Sequence, residues 1–161
     1  AVVRAILGAG GSVLQPESDP LLSHPRYLAA VLGTLRPHAT LAYGEPLVNS
    51  GLHLVASETD HWTENLTGLG GCGAQLALTI VRGHPQQGHP MLPVLQFAEA
   101  SEERKLPPAD IDGCLSRDTL RDAGTLVAAV VAAAERTTVP VAMAQGFVDF
   151  QLTRGLLGLT T

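Results

Sequence analysis

The stretch Gln75–Val81, QLALTIV, restricts the fold more than any other. It is an almost unbroken apolar run, with Gly73 before it and Arg82 and Gly83 after it. A half-solvated strand alternates apolar and polar residues, because successive side chains point to opposite faces. A run without that alternation predicts a strand covered on both faces, at the centre of a parallel sheet.

Helical periods lie on either side of this run. VVRAILG reads as the last turns of a helix, stopped by Gly8, Gly10 and Gly11. Ser12–Gln15 reads as a short buried strand. Ser23 is placed to cap a helix that Pro25 opens, with Leu28, Val31, Leu32 and Leu35 on its apolar face and Pro37 at its end. Thr40–Tyr43 and Leu52–Ser57 read as strands. Their connection is too short for a parallel crossover, which predicts an antiparallel pair or one continuous excursion. Thr63 is placed to cap a helix over Glu64–Cys72, and Met91–Glu99 reads as a further strand. Ser116 is the expected cap of a long helix, Arg117–Arg136. Leu120, Leu126 or Val127, and Val130 or Val131 should face inward. The last stretch, from Phe147, reads as a short helix or strand returning to the core. Strands alternating with helices predict an α/β fold, a Rossmann-like three-layer sandwich around a mostly parallel sheet. One domain over residues 1–161 is expected. A chain that opens inside a helix suggests the C-terminal domain of a longer protein.

Composition removes some functions. The formal net charge is −5 and Lys105 is the sole lysine, so the positive stripe of a nucleic-acid groove is missing. No apolar stretch has membrane-spanning length, and no signal-peptide pattern is present. Two cysteines point to a reducing cytoplasm rather than a disulfide framework. Charged residues make up only 16% of the chain, which predicts a surface partly covered by another domain or by further copies in a homo-oligomer.

The motifs divide into structural and chemical candidates. GLGGCG satisfies G-x-G-x-x-G at Gly68, Gly70 and Gly73, but a dinucleotide fingerprint follows a strand and opens a helix. Here a helix precedes and a strand follows, so the glycines are read as packing residues. Cys72 and Cys114 are read as structural. His84 and His89 flank PQQG in a loop, either as part of a metal site or as exposed turn residues. His53 sits inside an apolar strand and faces either a cleft or the sheet's other side. Arg82 and Gly83 stand where ligands bind in open α/β sheets, beyond the carboxyl ends of strands. An arginine fork there can clamp a carboxylate, and glycine lets backbone N–H groups approach an anion. The alternative for Arg82 is a salt bridge at the sheet edge. Glu17 and Asp19, and likewise Glu58 and Asp60, follow strands, as salt-bridge partners or as halves of an acid/base site.

Four segments in order, GGSVLQPE, GLHLVAS, LTGLGGCGAQLALTIVRGHPQQGHPMLPVL and FVDFQLTRG, resemble the C-terminal part of the altronate/galactarate dehydratase family. The match is most specific over Thr63–Leu95. Val81 stands where the family has glycine before its arginine. The resemblance implies a hydro-lyase acting on sugar acids, with an N-terminal domain as partner. It implies a substrate carboxylate near Arg82 and Gly83, with a polar contact from Thr79. His53 and Glu17 would lie on the same rim, where either could serve as the base or the acid, and Fe2+ would be the cofactor; no metal ligands are assigned. The rival expectations are a non-catalytic ligand-binding module and an assembly domain.

Overall fold

The computed structural model describes residues 1–31, 33, 37–57, 59–100 and 106–152. Leu32, Leu35, Glu58, Lys105 and the end of the last stretch, all part of the expectations above, lie outside them. Among the described residues five α-helices and five strands follow in the order α1 Val2–Gly8, β1 Val13–Pro16, α2 Pro25–Val31, β2 Leu52–Val55, α3 Trp62–Gly71, β3 Ala77–Val81, β4 Val94–Glu99, β5 Gly113–Leu115, α4 Thr119–Ala134 and α5 Val141–Ala144; helix and strand alternate as far as β3, and three strands then run in succession. The fold is α/β, and every strand pairing among the described residues is parallel.

The pairings fall into two small sheets rather than one. β1 pairs with β2, and β3, β4 and β5 form a three-stranded sheet in that order. In place of an expected strand at Thr40–Tyr43, Leu41 alone bridges Val55. The bridge is parallel, not antiparallel: the Leu41 N–H donates to Leu54 O and the Ala56 N–H to Leu41 O. The chain between Leu41 and Leu52 loops out far enough to return in the same direction.

The three-stranded sheet has the expected three layers. Ala77 and Val94 face Leu66 of α3, while Leu78, Leu95 and Phe97 face Leu126, Ala129, Val130 and Ala133 of α4. Period-two alternation in the strands and 3.6-residue spacing in α4 meet at that second layer. One expectation fails here. The central strand is β4, whose Val94–Ala98 are all buried; β3 lies at the edge, with Ile80 42% exposed. An apolar run is necessary for a central strand, but neighbour order decides which run occupies the centre.

Capping residues also differ from expectation. Asp118, not Ser116, caps α4, its carboxylate accepting from the Leu120 and Arg121 N–H groups. Leu120 therefore falls in the first turn at the surface, 84% exposed, and not in the core. His61 occupies the N-cap position of α3, leaving Thr63 buried inside the first turn. The Ser23 hydroxyl donates to Pro20 O within a 3-10 turn over Pro20–Ser23 that Asp19 caps. Pro25 opens α2 as predicted.

Two glycines of GLGGCG, Gly68 and Gly71, act in packing, while Gly70 has open space around it. A Cβ on Gly68 would lie 2.5 Å from the Tyr43 ring, and one on Gly71 would lie 2.9 Å from the Gly44 Cα. Close approach of α3 to the Ala42–Glu45 turn depends on their missing side chains. Cys72 lies in the small core beside Leu41 and Val55, and Cys114 packs partly buried against the core of Val81, Ala98, Leu106 and Ile111. Burial pushes the Cys72 thiol pKa up, which suits a structural role. Among the described residues, no helix is long and apolar enough to cross a membrane.

Candidate anion site at the carboxyl edge of the sheet

Parallel strands bring their carboxyl ends to one edge, and in the three-stranded sheet that edge carries charge. Arg82 follows β3 directly, Glu99 ends β4, and Arg117 follows β5 by two residues. The Arg82 and Arg117 guanidiniums each stand 3.8 Å from a different oxygen of Glu99. Both arginine side chains are largely exposed. Gly83 next to Arg82 has φ +75, a left-handed conformation that glycine adopts without strain, and nothing stands within 4 Å of where a Cβ would be.

The loop that carries Arg82 is pinned along its length. Gln96, buried at the centre of β4, accepts the Gln86 N–H through Oε1 at 2.7 Å and donates from Nε2 to Gln86 O at 2.6 Å. The Trp62 indole N–H donates to Gln87 O. Gly88 exchanges backbone hydrogen bonds with Phe147 and Asp149, so the stretch after Phe147 returns as a single parallel bridge. The Asp112 carboxylate accepts from the backbone N–H groups of Gln96 and Val141, fixing β4 against α5. What remains exposed is the tip, Arg82, Gly83 and His84.

His89 proves structural. It is 2% exposed. Its Nδ1 accepts the backbone N–H groups of Met91 and Leu92, so Nε2 carries the proton toward the Thr67 hydroxyl. Burial lowers its pKa and holds it neutral.

The structure separates the two acid/base candidates. His53 pairs in register with Leu14, while Glu17 lies three residues further along, roughly 10 Å at the rise of a strand. His53 is 3% exposed; its Nε2 donates to Asn49 O at 2.8 Å, and its ring stacks on His38 at 4.6 Å. With Nε2 protonated, Nδ1 carries the lone pair, and this atom is buried without a protein partner. Glu17 is exposed at the carboxyl end of β1 and accepts from the Thr40 hydroxyl at 3.1 Å. His53 is thus buried near the amino end of β2, and Glu17 is exposed beyond the carboxyl end of β1. Thr79 sits mid-strand beside Gln96, three residues before Arg82. Val81 fills a small core with Ala98, Leu106 and Ile111.

A cleft of about 280 Å³ lies at the other end of the two-stranded sheet, lined by Leu7, Gly10, Gly11, His38, Ser50 and Leu52 among others. Its lining holds neither a carboxylate nor an arginine. Iron, implied by the resemblance, needs several converging His, Cys, Asp or Glu donors. Among the described residues no three such groups converge, so they do not form an iron site by themselves. The chain matches no family model, and no curated protein matches it significantly.

Sequence reasoning missed Glu99 and Arg117. Glu99 ends a strand that the sequence did predict, and the rule that selected Arg82 applies equally to it. Arg117 follows a strand of three residues, Gly-Cys-Leu, too short to give a periodic signal.

Proposed function

We propose that this chain is the carboxylate-binding domain of a hydro-lyase acting on altronate- or galactarate-like sugar acids, working in a reducing cytoplasm with an N-terminal domain. The observation that carries the proposal is the exposed Arg82 guanidinium, with Gly83 beside it, at the carboxyl edge of a parallel sheet. Removal of the proton α to a carboxylate moves negative charge onto the carboxylate oxygens. A guanidinium fork paired with those oxygens would favour that charge more than it favours the ground state. Glu17, exposed at the other sheet's carboxyl end, is the candidate base. His53, sealed beneath His38, is assigned to positioning in this conformation.

The test is calorimetric titration of galactarate and altronate into the protein and into Arg82→Ala. Binding that falls about tenfold or more in the variant supports the reading. Equal binding by both proteins refutes it. The lyase part is read separately, as formation of a keto acid under reducing, iron-supplied conditions. The separation of His53 from Glu17 favours a second reading, a binding module without catalysis. Binding that depends on Arg82, without keto-acid formation in the presence of the N-terminal domain, selects that second reading.

A further inference from the structure

We propose that Arg117 completes a two-arginine carboxylate clamp with Arg82, and that Glu99 is its resident occupant, an internal carboxylate that an incoming organic acid displaces. The proposal rests on the carboxylate-binding reading of Arg82 given above.

The strand order makes the arrangement. Three adjacent parallel strands end in Arg82, Glu99 and Arg117, so one carboxylate stands between two guanidiniums. Each guanidinium faces a different carboxylate oxygen, the bridging mode that an external carboxylate would adopt. Neither contact is closed. At 3.8 Å both exceed the roughly 2.7–2.9 Å of a charge-assisted hydrogen bond. With the arginine side chains 78% and 71% exposed and Glu99 39% exposed, water screens both pairs. Pairs of this kind contribute little to folding, so these two contacts with the arginines are themselves cheap to exchange for another carboxylate.

Arg117 is held in place by its backbone. Its φ is +74, a left-handed conformation in which a side chain is strained and glycine is not. The Asp122 carboxylate maintains this turn by accepting the Ser116 and Arg117 N–H groups and the Ser116 hydroxyl, at 2.8–2.9 Å. The strained turn therefore roots a long cationic side chain at the same edge as Arg82.

The clamp and a mere surface ion-pair network predict opposite effects of removing Glu99. If Glu99 only orders the arginines, its loss weakens anion binding. If Glu99 competes for them, its loss strengthens it. Galactarate, with inorganic phosphate as the alternative oxyanion, is titrated at low ionic strength, where exposed charges are least screened. Glu99→Gln is expected to tighten galactarate binding about threefold. Arg117→Gly is expected to weaken it about tenfold while the protein stays folded, because glycine relieves the positive φ. Weaker or unchanged binding in Glu99→Gln overturns the clamp. So does unchanged binding in Arg117→Gly; if Arg82→Ala still abolishes binding, the carboxylate reading survives and only the second arginine is lost. Tighter binding of phosphate than of galactarate overturns the carboxylate assignment. No binding by any of these proteins, Glu99→Gln included, overturns both proposals.

Discussion

Gln96 offers the most direct test of how the fold holds its candidate site. Its amide is 1% exposed and makes two short hydrogen bonds to the backbone of one loop residue, Gln86. Gln96→Met keeps the length of the side chain and removes both bonds. Leaving a buried backbone donor and acceptor unpaired costs about 1–3 kcal/mol each. Gln86 is only half-buried, so water recovers part of that loss, and the apolar replacement returns about 1 kcal/mol through burial. The net destabilisation should be about 1–3 kcal/mol, a Tm lower by roughly 3–10 °C for a domain of this size. Urea titration followed by circular dichroism measures the total. Hydrogen exchange of the Gln86 amide locates the change, and that amide should lose protection well beyond the global loss of stability. Galactarate affinity should also fall, since the loop carrying Arg82 loosens although Arg82 itself is untouched. A protected Gln86 amide together with stability within about 0.5 kcal/mol of the parent would falsify the pinning argument.

Two further predictions follow from packing and burial. Gly68→Ala should destabilise by about 1–3 kcal/mol, since the new Cβ meets the Tyr43 ring at 2.5 Å. Gly70→Ala, with nothing within 4 Å, should stabilise by about 0.5–1 kcal/mol through helix propensity, and thermal melts of the pair decide the matter. His89 has its pKa lowered below 6.5 by burial, so the unfolded chain takes up the proton first. Its contribution to stability is therefore present in full above about pH 6.5 and is lost as the pH falls toward the folded pKa. Proton NMR should show His89 titrating below 6.5, and a normal or raised value would refute its buried, neutral assignment.

The sequence made the α/β class legible because apolar runs and helical periods are local signals. It misplaced the centre of the sheet because burial is not local. β3 and β4 both read as apolar strands, and β3 reads as the more apolar of the two. Yet Gln96 and Phe97 lie under helices or loops, while Ile80 stands at an edge. Gln96 resembles a surface residue in sequence, and only the return of the Gln86 backbone makes its burial tolerable. The cap of α4 was ambiguous for a different reason. Ser116 and Asp118 are both good caps two residues apart, and Asp122 decides between them by drawing the Ser116 hydroxyl and N–H to itself.

The candidate site shows the same division. Arg82 and Gly83 were readable because they follow an apolar strand directly, and where a strand ends depends on a few adjacent residues. The pairing of Arg82 with Glu99 and of Glu99 with Arg117 depends on strand order, which no local window contains. His53 shows how position in a strand limits a chemical guess. A histidine in an apolar strand can meet ligand only where the strand ends or where its face is open. His53 is the second residue of β2, at the amino end, and His38 covers its ring. In a parallel sheet all carboxyl ends share one edge, so a catalytic role for His53 together with Glu17 requires reach along most of the strand. The charged groups that need no such reach are Arg82, Glu99 and Arg117, and the parallel order alone brings them together.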